Sequence, residues 1–264
     1  MPSPIKVFKK CIEKNPAIDY AISTIVSEYD IKAAHPTALY FVKGPEVYDK
    51  LMAMPKIERS RECGLMIGRE PGLHEKLSKL ILKWFNEFCD VNNIKESNFV
   101  SSTRDSIILV NKKPIKTTFE NGLVEFRSKD SDYTSYIRIQ PSYEILYDGM
   151  SNTLRIKGIA KELVEANPPF IKLFKQLLAL LEISKNIPTS ELLRKSSYLR
   201  DKYIKAKDLS MYASLFKGNQ FEYFINGEKI DSGELIPGQN ESLIRSDNYT
   251  RFFLPILKLC FKPH

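Results

Sequence analysis

The stretch Ala21-Ile22-Ser23-Thr24-Ile25-Val26-Ser27-Glu28-Tyr29-Asp30-Ile31 decides the class of fold. It is mostly apolar, rich in β-branched side chains and carries an acid near its end. That pattern reads as a buried strand within the run from Ala17 to Ile31. Downstream, Pro36 predicts a break, because proline has no N–H for a ladder. Pro45 to Met54 reads as a helix, with Val47, Leu51 and Met54 at i, i+4 and i+7. Pro55 interrupts it, and a second short helix is predicted from Lys56 to about Ile67. Gly68 to Gly72 is a turn. Leu73 to Val91 is the clearest helix, its Leu73, Leu77, Leu80, Ile81, Trp84, Phe85 and Phe88 recurring at a period near 3.6.

Strands follow. Phe99-Val100 and Ile107 to Val110 read as a hairpin, and β-type runs recur at Leu123–Phe126, Tyr133–Ile139, Tyr143–Tyr147 and Thr153–Ile159. Asn167-Pro168-Pro169 marks a change of composition. Helices are predicted beyond it, Phe170–Ile183 and Ser190–Lys205, and residues 208–264 carry little pattern. Strand, helices, several strands and helices in that order predict an α+β fold with a mostly antiparallel sheet and a mainly helical C-terminal part.

Composition narrows the function classes. The 264 residues are 43% hydrophobic and 27% charged, too apolar for a disordered chain. Four cysteines at irregular positions, Cys11, Cys63, Cys89 and Cys260, suit reduced thiols inside a cell rather than a disulfide scaffold. No run approaches ~18 apolar residues, so no membrane span is expected. The start, MPSPIKVFKK, has no secretory pattern. An intracellular soluble protein is the expectation. With 40 Lys and Arg against 32 Asp and Glu, the net charge of +8 makes nucleic acid or another polyanion the leading partner class.

Acids at the tips of apolar strands are the first candidates for chemistry. Asp30 closes one apolar run and Asp105 opens another. On neighbouring strands the two carboxylates could share divalent cations, as two-metal phosphoryl transfer requires with ions ~3.5–4 Å apart. Oxygen ligands suit Mg²⁺, which takes one or two carboxylates plus substrate phosphates. On spacing alone, the reading of each acid as a merely solvated strand end is favoured.

The surrounding words add to this. Asp30-Ile31-Lys32-Ala33-Ala34-His35-Pro36-Thr37 resembles motif A of family B DNA polymerases, Asp-x-x-Ser-Leu-Tyr-Pro-Ser. Ser101-Ser102-Thr103-Arg104-Asp105-Ser106-Ile107 resembles motif C, Tyr-x-Asp-Thr-Asp-Ser-Ile. Between them, Lys56-Ile57-Glu58-Arg59-Ser60-Arg61-Glu62-Cys63-Gly64 fits the spacing of motif B, Lys-x-x-x-Asn-Ser-x-Tyr-Gly. Leu154-Arg155-Ile156-Lys157-Gly158-Ile159, followed by Pro169-Phe170, resembles the passage from palm to thumb. The fragments occur in the family's order and cover roughly Tyr29 to Leu173.

The resemblance implies a palm at 1–166 with a polymerase-like antiparallel sheet, a reduced fingers hairpin at about 45–97, and a thumb-like region at 167–264. It implies that Asp30 and Asp105 hold Mg²⁺ or Mn²⁺, although Thr103 replaces the first acid of motif C. Lys56 would meet the triphosphate, with Ser60 and Gly64 on the same helical face. A basic, solvated helix explains that face as well, given Arg59, Arg61 and Arg69. The family's Lys-x-Tyr element is matched only by Pro141-Ser142-Tyr143, which loses the lysine. Tyr143, Lys157 and the basic thumb residues Arg194, Lys195 and Arg200 would track nucleic acid. No segment before Asp30 has room for an exonuclease domain, so proofreading is not expected.

Rival chemistry is thin. Cys63, His74 and Cys89 lack the paired spacing of structural zinc sites, and no P-loop, dinucleotide turn or nucleophile elbow occurs. Two classes stay open. One is a minimal template-directed nucleotidyltransferase acting on primer-template and nucleoside triphosphates, alone or with a second polymerase chain. The other is a catalytically degenerate subunit that binds nucleic acid or a replication or transcription partner. A pared-down replication protein suits a virus or phage, by association only.

One substitution within motif A carries its own prediction. The family's tyrosine, which excludes a 2′-hydroxyl, is replaced by His35, smaller and able to donate or accept a hydrogen bond. Primer extension with ribonucleotides is expected to proceed beside that with deoxynucleotides. Complete rejection of ribonucleotides ends the idea.

Overall fold

The computed structural model describes residues 4–129, 132–139, 143–215, 222–231 and 241–262. In chain order the strands are β1 (Glu13–Lys14), β2 (Tyr20–Ile31), β3 (Phe99–Ser102), β4 (Ser106–Val110), β5 (Thr118–Phe119), β6 (Val124–Ser128), β7 (Tyr133–Ile139), β8 (Tyr143–Asp148), β9 (Thr153–Lys157), β10 (Tyr223–Ile225) and β11 (Glu228–Ile230). The helices are α1 (Ala34–Lys43), α2 (Pro45–Met52), α3 (Lys56–Arg69), α4 (Leu73–Val91), α5 (Lys161–Glu165), α6 (Pro168–Ile183), α7 (Thr189–Ile204) and α8 (Leu254–Cys260). The fold is α+β with antiparallel sheet pairing, as the order of elements predicts.

The chain packs into two compact units. One comprises the residues up to Ile18 with Ile25–Asp132, the other Asp19–Thr24 with the residues from Tyr133 on. The division falls at 132/133, whereas the polymerase resemblance divides the chain at 166/167. The reason is local: β8 pairs along its length with both β7 and β9, and the meander buries its apolar face with the C-terminal helices.

In the first unit the strand order is β1-β3-β4-β2, with β6 on the other side of β2 and β5 beside β6. Alternation along β2 divides its side chains between two faces. Tyr29 and Ile31 enter the core with Ile107, Leu109, Phe99, Val124 and Phe126. Helix α4 covers that core with the stripe its periodicity predicts, burying Leu73, Leu77, Ile81, Trp84, Phe85 and Phe88. Phe88 stacks on Phe126 at 4.2 Å and lies 6.0 Å from Tyr29. That contact ties the helix to the strand end carrying Asp30.

The expectation at Pro36 is corrected. Proline does not break the chain there; it is the third residue of α1. First-turn N–H groups have no intrahelical partner, so a proline costs little at that depth. Ala33 makes the turn from β2 into α1 in the left-handed region, φ 46° and ψ 48°. Thr37 then closes the first turn, its N–H donating to Ala33 O at 2.8 Å.

In the second unit, β7, β8 and β9 pack Ile137, Ile139, Ile145, Tyr147 and Ile156 against α6 and α7. The poorly patterned tail is ordered where described. Asn167 and Asn248 both donate side-chain N–H groups to Ala213 O, at 2.9 and 2.6 Å, and Tyr212 Oη donates to Tyr203 O at 2.7 Å. Polar side chains that grip distant backbone leave no apolar period to read. Among the described residues no helix is long and apolar enough to cross a membrane.

Phe88→Ala tests the support of the site. Losing a fully buried ring from this core should destabilise the first unit by about 3–5 kcal/mol. Trp84, the single tryptophan, is 0% exposed and also belongs to α4, so its fluorescence during urea unfolding reads that unit directly.

Candidate active site

Asp30 and Asp105 meet because of the β2–β4 register. Asp30 pairs across the ladder with Ser106, and the N–H of Ile31 donates to Asp105 O at 2.8 Å. Asp105 ends the three-residue loop between β3 and β4, beside the tip of β2. The negative charge of Asp105 is near enough to raise the pKa of both Asp30 and His35 against their other influences. The side of β2 away from β4 carries β6, which sets Arg127 directly across from Asp30. Lys129 follows, its N–H donating to Glu28 O at 2.8 Å and its Nζ lying 2.6 Å from Asp30 Oδ2. The other carboxylate oxygen, Oδ1, is buried without a hydrogen-bond partner.

These groups form one wall of a cleft of about 790 Å³ within the first unit. The start of α1 adds His35 and Pro36. The cleft is also lined by one stripe of α3, namely Lys56, Arg59, Ser60, Cys63, Gly64 and Ile67, and by His74 at the start of α4. The structure therefore brings together Asp30, Asp105, His35, Lys56, Ser60 and Gly64, drawn from three separate parts of the chain. Where a Gly64 Cβ would stand, nothing beyond the adjoining residues and backbone of its own helix lies within 4 Å, so packing does not demand a glycine there. Ser60 is an unremarkable helical serine whose hydroxyl donates to Lys56 O at 2.9 Å.

The other expected contacts lie elsewhere. Tyr143, Lys157, Arg194, Lys195 and Arg200 belong to the second unit and do not line the cleft. The Tyr143 ring is 6.2 Å from Phe252, Lys157 sits 3.9 Å from the buried Glu144, and Lys195 pairs with Glu191 at 3.1 Å on α7. Pro141 and Ser142 of the Lys-x-Tyr comparison lie outside the described residues. Thr103, at the place of motif C's first acid, is tied to its own hairpin: its N–H donates to Ser106 O at 2.9 Å and its hydroxyl is bonded to that of Ser106.

Sequence reasoning passed over Lys32, Arg104, Arg127, Lys129 and His74 as cleft residues. Arg59 was legible, being one helical turn from Lys56. Arg127 and Lys129 were not, because only the β2–β6 pairing sets them beside Asp30. Lys32 and Arg127 are partly neutralised by Glu125, at 3.4 and 3.1 Å. Lys56, Arg59 and Arg104 make no ion pair with a described residue.

The cleft is thus two carboxylates in a cationic surround, suited to a polyanion held with a cation. Burial disfavours the charge on His35 and lowers its pKa, an effect opposed by Asp105 and reinforced by Arg104 and His74, so the ring is mainly neutral at pH 7. Burial raises the Cys63 thiol, which keeps it a neutral lining group. Among the described residues no three His, Cys, Asp or Glu side chains are grouped to hold a metal. A divalent ion would therefore use Asp30 and Asp105 and draw its remaining oxygens from substrate and water. The orphaned, buried Oδ1 of Asp30 fits such a ligand.

Burial raises the Asp30 pKa, helped by Glu28 and Asp105 and opposed by Lys129. A raised carboxyl favours the folded state when protonated; that stability is full below the unfolded-state value and lost as pH rises through the folded one. Ionised Asp30 is then a net cost at neutral pH. Asp30→Asn should unfold at higher urea than wild type at pH 7, with the difference shrinking toward about pH 4. A lower midpoint at pH 7 would show that the Lys129 pair outweighs burial.

No curated protein matches the chain. A family model does, over residues 3–260. The length of that match, which takes in the cleft and both compact units, establishes that the chain belongs to the family of the bacteriophage PBS1 gene 130 protein.

Proposed function

We propose that this protein is a template-directed nucleotidyltransferase resembling a minimal family B DNA polymerase. The observation that carries the reading is the convergence of Asp30 and Asp105 at one end of the β2–β4 ladder, lining one cleft together with the Lys56–Arg59 stripe of α3. A triphosphate beside two acids needs both features: oxygen ligands for divalent cations and fixed positive charge for the phosphates that the cations do not neutralise.

Bound Mg²⁺ or Mn²⁺ would supply Lewis-acid activation of the α-phosphate and of the attacking 3′-hydroxyl. Asp30, on the β2–β4 ladder, and Asp105, in the short β3–β4 loop pinned to that ladder by the Ile31 N–H, would together hold the cation. Lys56 and Arg59 receive the β- and γ-phosphates, with Arg59 able to bind them through two N–H groups. Neutral His35, at the start of α1 beside Asp105, faces the sugar. The exposed Arg194 and its neighbours on α7 of the second unit give a cationic surface for a duplex backbone.

A second reading has its own support. Thr103 is satisfied within its hairpin, and Lys129 already takes one oxygen of Asp30. A cleft in that state could serve a subunit that binds nucleic acid without chemistry.

Primer extension with Mg²⁺ or Mn²⁺ separates the two. Asp30→Asn and Asp105→Asn should each lower incorporation by more than about a hundredfold, since outer-shell changes alone cost 10–100-fold. Lys56→Ala should raise KM for the nucleotide by about tenfold or more, the worth of one charge-assisted hydrogen bond. Salt-dependent duplex binding with no incorporation, even with candidate partners added, would leave only the second reading.

A further inference from the structure

The ion pair at the heart of the cleft has a function of its own on this reading of the site as one for a cation and a polyphosphate. Lys129 Nζ lies 2.6 Å from Asp30 Oδ2, and both residues line the cleft. The Lys129 backbone is fixed to β2 by its bond to Glu28 O, while its side chain keeps 38% of its exposure. The ammonium can therefore leave Asp30 without disturbing the sheet. Its alternative partner is an anion in the cleft, since Lys32 and Arg127 are shared with Glu125.

Charge decides the order of events. Against Asp30 and Asp105 stand Lys56, Arg59 and Arg104 as well as Lys129, so a lone divalent cation approaches a surface already positive. It must also compete with an ammonium for a carboxylate oxygen. A polyphosphate reverses both conditions: it neutralises the cationic wall and offers Lys129 oxygens of its own.

We propose that Lys129 is a resident counter-cation of Asp30, which keeps divalent metal off the carboxylate until a polyphosphate enters the cleft and draws the lysine away. The residue is a positioning and gating group, and no bond is made or broken at it. The proposal rests on the cleft's being a metal and polyphosphate site but not on its catalysing polymerisation.

The test is Mn²⁺ binding to the full chain, followed by electron paramagnetic resonance, with inorganic tripolyphosphate as the probe anion. Wild type should bind Mn²⁺ weakly alone and at least about tenfold more tightly with tripolyphosphate present. Lys129→Met should bind Mn²⁺ at least about tenfold more tightly than wild type without the anion, and the gap should close when it is added. Lys129→Arg, which keeps the charge, should behave as wild type. Thermal unfolding of each variant checks that the fold is intact, as expected for a half-exposed side chain. Equal Mn²⁺ affinity of wild type and Lys129→Met without the anion overturns the gating role and leaves the site reading standing. Absence of Mn²⁺ binding in every variant, with and without tripolyphosphate, overturns both.

Discussion

A carboxylate held where water reaches it poorly is the constraint on which the first unit is built. Tyr29 and Ile31, on either side of Asp30, are buried in the core under α4. The acid between them cannot retreat to solvent without pulling two apolar anchors out. Its neighbours supply what solvation does not: Lys129 takes one oxygen, and the other is left buried and unpaired. An unpaired buried acceptor costs the fold free energy until water or a bound cation satisfies it.

The remaining lining of the cleft follows from how the chain leaves that strand. Ala33 turns left-handed, α1 begins at once, and His35 is carried into the same cleft as the acids. The short α2 then delivers α3 with Lys56, Arg59, Ser60 and Gly64 on one stripe. Strand pairing and a short pinned loop hold the acids, and α3 carries Lys56 and Arg59 into the same cleft. Such an arrangement suits chemistry on phosphate, where catalysis is mostly positioning and charge stabilisation.

Much of the molecule was legible residue by residue. Helix α4 was readable because Leu73 through Phe88 repeat at 3.6 over a length no strand reaches, and β7 and β8 were readable from their β-branched and aromatic runs. Elements whose order comes from elsewhere were not. Pro36 misled because a proline is a breaker in a strand but harmless in a first helical turn, and only the position of the helix start distinguishes the two. The C-terminal tail gave no pattern to read because side chains such as Asn167, Asn248 and Tyr212 bond to distant backbone there, which leaves no periodic trace.

The site divides in the same way. Asp30 and Asp105 could be singled out as acids at the ends of apolar runs, whereas His35 and the Lys56–Ser60–Gly64 face were singled out by the resemblance to family B polymerase motifs. What made them neighbours was strand pairing, a long-range matter of register. Pairing with β4 set Asp105 beside Asp30, and pairing with β6 brought Arg127 and Lys129, about a hundred residues downstream, to the same carboxylate. Side-chain periodicity is a property of neighbours in the chain, whereas register is settled by which apolar faces bury together, so the counter-charges of Asp30 emerged only once the sheet was assembled.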